Sequence, residues 1–132
     1  MKKIILSMIL LTSTIFALHW SKDLKTALAT AKKTHKPLMV FVEGEYCRWC
    51  KKLEHRTLTS NKIEKRLKKY IVVKVERDDE SVAEFLPEIQ GVPRIFFMTY
   101  KGKILEDILG YWDIMDFSSY IDDVEKKLKK HK

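Results

Sequence analysis

A continuous apolar run, Leu-Met-Val-Phe-Val at residues 38–42, limits the folds open to this chain more than any other feature of its sequence. A strand with one face in water alternates apolar and polar residues, whereas an unbroken run is typical of a strand buried on both faces. Such a strand needs a layer of helices on each side of its sheet. After four intervening residues, a Cys-Arg-Trp-Cys motif begins at Cys47. The pattern predicts a buried strand, a loop and then a helix that opens at the motif.

The rest of the chain alternates between helical and extended patterns. We predict that Ser21 caps a helix that continues to about His35. Further helices are expected at about 47–55, from Ser60 or Asn61 onward, at 81–85 and at 113–130, and further strands at 71–75, 95–100 and 104–109. The order α-β-α-α-β-α-β-β-α predicts an α/β fold with a mixed central sheet of about four strands and helices on both faces.

The N-terminus has the pattern of an export signal. Lys2 and Lys3 precede an uncharged, mostly apolar run at residues 4–18, which is shorter than the roughly 20 residues of a membrane span. We predict a signal peptide at residues 1–17 and one domain at residues 18–132, in the periplasm or otherwise exported; an uncleaved N-terminal anchor is the alternative. Removal of the two lysines lowers the formal charge from +8 to +6.

The chain has two cysteines, Cys47 and Cys50. One pair cannot form the multi-bridge framework of a small secreted protein, and a bridge across so short a loop adds little stability. Thiol exchange suits the pair better, because the N–H groups of a helix N-terminus and the neighbouring charge of Arg48 lower the pKa of a thiol. We predict that Cys47 is the exposed nucleophile and that Cys50 resolves the mixed disulfide.

A metal site is the other use for two cysteines at this spacing. Zinc takes about four ligands, and beyond the cysteines the chain offers His55 as a third ligand but no second pair of ligands. We therefore predict no metal, and no cofactor apart from a redox-active Cys47–Cys50 disulfide. The lysines of the C-terminus suit the last turn of a helix. They lack the aromatic residues of a nucleic-acid site, so no nucleic-acid partner is expected.

A second motif, Gly91-Val92-Pro93, comes just before the apolar strand that begins near Ile95. A Cys-x-x-Cys pair at a helix start, combined with a proline that opens a later strand, resembles the thioredoxin fold from about residue 21 to residue 130. The resemblance implies that the Val92–Pro93 peptide bond is cis and that Pro93 packs beside the active-site sulfurs. It also implies that the backbone of Val92 pairs with an extended substrate segment.

The residues around the cysteines are similar to a narrower group, the thioredoxin-like C-terminal domain of Dsb-type thiol:disulfide interchange reductases. The similar stretches are KPLMVFV at 36–42, CKKLE at 50–54, Thr57 and NKI at 61–63. That group has a glutamate near its active site, four residues after the second cysteine, and Glu54 matches it. One helical turn separates Glu54 from Cys50, so a carboxylate there could take the proton of Cys50. A solvated helix acid is the alternative.

The chain also departs from common thioredoxins. Phe41 stands where they carry a buried aspartate, which moves proton handling to Glu54 or Glu43, and we expect Glu43 at the surface of a strand end. Arg48 and Trp49 replace the usual Gly-Pro, so the fold does not set the direction of electron flow.

The substrate surface is expected around the motif. Tyr46 stands where tryptophan is usual, and Trp49 is expected to be exposed, although a packing role for Trp49 is the alternative. The predicted substrate-binding residues are Tyr46, Arg48, Trp49, Val92 and Pro93. Arg94 follows the proline where threonine is common and is expected to favour acidic partners.

These residues and the resemblance predict an exported thiol:disulfide oxidoreductase, a reductase of disulfides in periplasmic proteins, with Cys47, Cys50 and Glu54 as catalytic residues. The expected partners are disulfide-containing proteins and a membrane thiol electron donor, and the protein is expected to be a monomer. Two alternatives remain: a non-catalytic thioredoxin-fold binding or chaperone module, and a copper- or haem-pathway metallochaperone.

Overall fold

The computed structural model of the protein describes residues 17–132. The predicted signal segment therefore lies outside the described residues, apart from Ala17. Between residues 17 and 132, no helix is both long enough and apolar enough to cross a lipid bilayer.

The described chain folds into alternating helices and strands, in the order that the sequence predicts, with one short strand added at the start. The elements are β1 Trp20–Ser21, α1 Leu24–Thr34, β2 Leu38–Glu43, α2 Arg48–Leu53, a π-helical segment Glu54–Leu58, α3 Asn61–Leu67, β3 Ile71–Glu76, α4 Glu80–Phe85, β4 Arg94–Met98, β5 Ile104–Leu109 and α5 Ile114–Lys130.

The strands form one mixed sheet in the order β1-β3-β2-β4-β5. Strand β2 is central: it runs parallel to β3, with Phe41 opposite Lys74, and antiparallel to β4, with Phe41 opposite Ile95. The predicted α/β fold with a mixed sheet is confirmed. The fifth strand is β1, whose two residues pair with Val72 and Val73; so short an edge strand shows no periodicity in a sequence.

The apolar run of β2 is buried on both faces, as predicted. Met39 and Phe41 pack into one core, with α2, α3 and α5, while Val40 and Val42 pack into a second core, with α1 and α4. All five residues of the run are fully buried. The run therefore holds the sheet between its two helical layers and places the loop after β2 at the carboxyl end of this central strand.

The start of α1 differs from the prediction. Ser21 belongs to β1, and Asp23 caps the helix instead, with its Oδ1 atom accepting the N–H of Thr26 at 2.7 Å. Ser21 is not available as a cap because its backbone is extended and pairs with Val73.

The helix predicted at 47–55 has different bounds in the structure. Cys47 is the N-cap, and α2 continues into the π-helical segment instead of ending at His55. In this wider turn the N–H of Thr59 donates to the carbonyl oxygen of Glu54 at 3.0 Å. The buried hydroxyl of Thr57 donates to the carbonyl oxygen of Trp112 at 2.7 Å, which ties the turn to the loop before α5. Such long-range bonds leave no pattern in a local sequence.

Strand β4 ends at Met98, two residues before the predicted end. Thr99 instead begins the hairpin turn: its N–H donates to the carbonyl oxygen of Lys103 at 2.8 Å, and Gly102 takes the left-handed conformation, with φ of 84°. The predicted turn at residues 101–103 and strand β5 are both present.

Candidate active site

The two cysteines are joined by a disulfide, with an S–S distance of 2.11 Å and 5.2 Å between their Cα atoms. Their exposure differs: Cys47 is partly exposed, whereas Cys50 is only 1% exposed. A substrate can therefore reach the sulfur of Cys47 but not that of Cys50. This asymmetry is what the predicted order of attack and resolution requires.

The helix start positions the sulfur of Cys47. As the N-cap of α2, this sulfur accepts the backbone N–H of Cys50 at 3.1 Å, and the carbonyl oxygen of Cys47 accepts the N–H of Lys51 at 3.2 Å. Unpaired N–H groups at a helix start stabilise negative charge. A thiolate released at Cys47 by reduction would meet the same donors.

The proline loop meets the cysteine loop across Gly44. A Cβ atom added at Gly44 would lie 3.1 Å from Cγ2 of Val92 and 4.0 Å from Cβ of Cys47. The space above Gly44 is thus occupied by side chains from both motifs, although 45 positions separate Cys47 from Val92 in the sequence. Of the predicted substrate-binding residues, Val92 therefore borders the same glycine as Cys47.

The backbone of the proline loop is open to a partner. The Val92–Pro93 peptide bond is cis, and the carbonyl oxygen of Pro93 accepts the N–H of Gly110 at 2.9 Å. Within residues 17–132, by contrast, neither the N–H nor the carbonyl oxygen of Val92 has a hydrogen-bond partner. An extended segment could pair with these two groups, as an added strand does.

Comparison with known families gives the fold a name. The thioredoxin-like domain family matches residues 24–125, which is most of the chain. The chain belongs to the thioredoxin-like family. A disulfide-bonded Cys-x-x-Cys pair in this fold is a disulfide-oxidoreductase type of arrangement.

Similar proteins agree on the fold. Mouse anterior gradient protein 3 is 24% identical over 117 residues, which are 83% of this chain and 71% of that protein. Among solved structures, a thioredoxin from Thermus thermophilus has a TM-score of 0.70 at 21% identity, over 81% of this chain and 86% of its own. The oxidised C-terminal domain of DsbD from Neisseria meningitidis has a TM-score of 0.64 at 21% identity, over 80% of this chain and 97% of its own.

Aromatic and basic side chains surround the thioredoxin-like motif. Tyr46 is 91% exposed and Trp49 is 51% exposed, so the expected exposure of Trp49 is present. The ring of Trp49 lies 5.8 Å from that of Tyr111, and Nζ of Lys52 lies over both rings, at 4.5 Å and 4.7 Å from their centroids. Sequence reasoning missed Tyr111, because nothing local connects it to the motif.

The structure pairs Glu54 with a lysine. Its carboxylate accepts two hydrogen bonds from Nζ of Lys74, at 2.9 Å and 3.2 Å, and is mostly buried. Lys74 is the register partner of Phe41, the residue at the position of the usual buried aspartate. Sequence reasoning missed Lys74, although a single lysine within the apolar strand Ile71–Glu76 is a detectable signal.

Glu43 is less exposed than expected for a strand end. Burial raises the pKa of the Glu43 carboxyl, and the charge and hydrogen bond of the neighbouring Glu76 raise it further, against the opposing effect of Lys74. Glu43 shares the Phe41 face of β2 and is partnered by Glu76 across the parallel strands. Three acids and one lysine near the ends of β2 and β3 therefore form one interacting group: Glu43, Glu54, Lys74 and Glu76.

Arg94 is not free to bind an acidic partner, contrary to its predicted role. Its guanidinium forms a two-point ion pair with the carboxylate of Asp107 on the adjacent strand β5. A hydrogen-bonded ion pair of this kind uses the donors that an external carboxylate would need. In the part of the chain that the structure describes, no three His, Cys, Asp or Glu side chains gather as metal ligands.

Glu43 leads to a prediction about stability. Because its pKa is raised in the folded state, the carboxyl favours folding while protonated, and this contribution is lost as the pH rises through the folded-state pKa. Glu43→Gln keeps a neutral side chain that can still donate to Glu76. We therefore expect the variant to be more stable than the wild type at about pH 7, with a smaller difference at about pH 4.

The measurement is urea unfolding of both oxidised proteins at the two pH values. Glu45→Gln, a substitution at an exposed acid of the next loop, is the control and should show no such pH-dependent gain. An equal gain for both variants, or a larger gain at low pH, would contradict the assignment.

Proposed function

We propose that this protein is an exported thiol:disulfide oxidoreductase that reduces disulfides in periplasmic proteins through Cys47 and Cys50. The observation that carries the proposal is the asymmetric pair: one sulfur is reachable at a helix start, and the other is buried one turn further on. The open backbone of Val92 next to the reachable sulfur supports a polypeptide as the substrate.

The exchange takes two steps in the reducing direction. The thiolate of Cys47 attacks one sulfur of the client disulfide, a mixed disulfide forms, and the second client sulfur leaves as a thiolate that takes up a proton. Cys50 then loses its proton and attacks the sulfur of Cys47. The Cys47–Cys50 disulfide forms, the first client sulfur leaves, and the client has gained two electrons that the dithiol has lost.

The chain's own residues hold the client for this chemistry. Val92 offers one N–H and one carbonyl oxygen to an extended client segment, and Pro93 fixes the loop by accepting the N–H of Gly110. Tyr46, Arg48 and Trp49 provide exposed surface around the sulfur of Cys47. The effective concentration of the client disulfide at the nucleophile is raised in this way.

Different observations support the proposed export and the proposed reducing direction of electron flow. Lys2, Lys3 and the apolar run that follows have the pattern of a signal peptide. Similarity to the Neisseria DsbD C-terminal domain supports a role in the same type of thiol exchange. A dithiol that reduces clients must be reduced again after each turnover, and a membrane thiol donor would supply the two electrons.

We further propose that Glu54 accepts the proton that Cys50 loses in the second step. Phe41 is fully buried and cannot hold a proton, so the group that serves Cys50 must come from another position. Glu54 lies one turn after Cys50, and its carboxylate is held by Lys74 on the neighbouring strand. A carboxylate held in place one turn from Cys50 can act as a general base for its thiol.

The cysteines can be tested separately. Cys47→Ala should abolish reduction of a protein disulfide, because no reachable thiol remains. Cys50→Ala should complete the first step only and accumulate a mixed disulfide with the client. Single-turnover assays, non-reducing gels and intact mass report both outcomes. A folded wild-type protein that reduces no disulfide would overturn the proposal, and client binding that survives Cys47→Ala unchanged would favour a binding module.

The role of Glu54 predicts a change in one step. Glu54→Gln should slow the release of client from the mixed disulfide by about 100-fold or more, while the rate of the first attack stays close to wild type. Stopped-flow kinetics with a client disulfide measure both steps. Glu64→Gln, on α3, is the matched control. Equal release rates in the wild type and in Glu54→Gln would show that Glu54 has only a structural role.

A further inference from the structure

A row of basic side chains leads away from the reachable sulfur along the outer side of α2 and the π-helical segment. Its members stand at positions spaced by three, four and eight, so that they share one side of the helix. Together with the ring of Trp49, these basic side chains line one surface groove, which we call the basic groove: Arg48, Trp49, Lys51, Lys52, His55 and Arg56.

The charges of the basic groove are not neutralised within the protein. Between residues 17 and 132, none of its arginines and lysines forms an ion pair with a carboxylate. Other basic side chains of the domain do: Arg66 pairs with Asp122 and Glu125, and Arg94 pairs with Asp107. The one acid in this helical stretch, Glu54, pairs with Lys74. The basic groove is therefore a cluster of positive charge that no acid of its own helical stretch neutralises.

One wall of the basic groove is already ordered. Nζ of Lys52 lies over the rings of both Trp49 and Tyr111, and such cation–π contacts hold a side chain in place. Because Tyr111 belongs to the loop before α5, this contact joins the groove to a second part of the fold. Because Lys52 is ordered before binding, it loses less conformational entropy when a partner binds.

We propose that the basic groove binds an acidic segment of the client polypeptide, adjacent in sequence to the disulfide that Cys47 attacks. The inference rests on the proposed function and specifies its substrate class. The groove begins at Arg48 and Trp49, between the two cysteines, so its occupant lies next to the client sulfur and belongs to the same chain. This continuity favours a polypeptide over a nucleic acid or an anionic membrane.

The length of the groove sets the length of the segment. Eight positions separate Arg48 from Arg56, or about 12 Å along a helix at about 1.5 Å per residue. An extended peptide covers this distance in about four residues. Clients should therefore carry aspartates or glutamates within about four residues of the reactive cysteine, and charge attraction should speed their association.

The test uses peptides with the same cyclic disulfide, flanked on one side or the other by four residues that are either acidic (Glu and Asp) or neutral (Gln and Asn). The acidic residues can reach the groove from only one side of the disulfide. At low salt, the reduced protein should reduce the acidic peptide with that orientation about tenfold faster than the neutral peptide with the same orientation. Salt at about 0.5 M should remove most of this advantage. The second-order rate constant of reduction is the readout.

Charge reversal in the groove should remove the preference. Lys51→Glu combined with Arg56→Glu should bring the acidic-to-neutral ratio to one or below. The control is Lys25→Glu combined with Lys33→Glu, which makes the same change of charge at exposed positions of α1, on the other face of the sheet. The control should keep the wild-type ratio. Circular dichroism checks that both variants are folded.

The outcomes separate the two proposals. If the folded, reduced wild type reduces none of the peptides, the proposed function fails. If it reduces acidic and neutral peptides equally, or if both charge variants lose the preference equally, the basic groove is not a client site. Binding to anionic vesicles or to an oligonucleotide that depends on Lys51 and Arg56, without discrimination between peptides, would also overturn the inference.

Discussion

Burial of β2 on both faces is the constraint on which the site depends. With Phe41 packed into one core and Val40 and Val42 into the other, the strand cannot shift without exposing five apolar side chains. The loop that follows must therefore turn at the end of this central strand, where Gly44 has side-chain atoms of both Cys47 and Val92 beside it. The reachable sulfur owes its position to this packing and not to the disulfide, whose short loop contributes little stability.

Phe41 stands where common thioredoxins carry a buried acid, so this position holds no titratable proton. The charged side chains around it interact with one another: Lys74, opposite Phe41, holds Glu54, and Glu43 interacts with Glu76. The basic groove begins at Arg48 and Trp49, between the two cysteines, and its cations form no ion pair with the carboxylates of residues 17–132.

Much of this arrangement was predictable from the sequence, for identifiable reasons. The apolar run, the β-branched strand at 71–75 and the amphipathic pattern of α5 determine buried layers, and the resemblance implies the cis peptide bond that the structure has between Val92 and Pro93. Contacts between distant parts of the chain were not predictable: the pairing of Trp20 with Val72, the bond from Thr57 to Trp112, and the contact of Lys52 with Tyr111. The charge of Arg94 was misjudged because Asp107 reaches it only through the register of β4 and β5.

The central claim, an exported dithiol that donates electrons, can be tested in intact cells with a maleimide that does not cross the cytoplasmic membrane. The reachable thiol of Cys47 reacts when it is both exported and reduced, whereas a disulfide does not react. We predict that Cys47 is labelled in most of the protein before any reductant is added. Labelling only after reductant would indicate an oxidising role, and labelling only after lysis would show that the protein is not exported; either result would contradict this account.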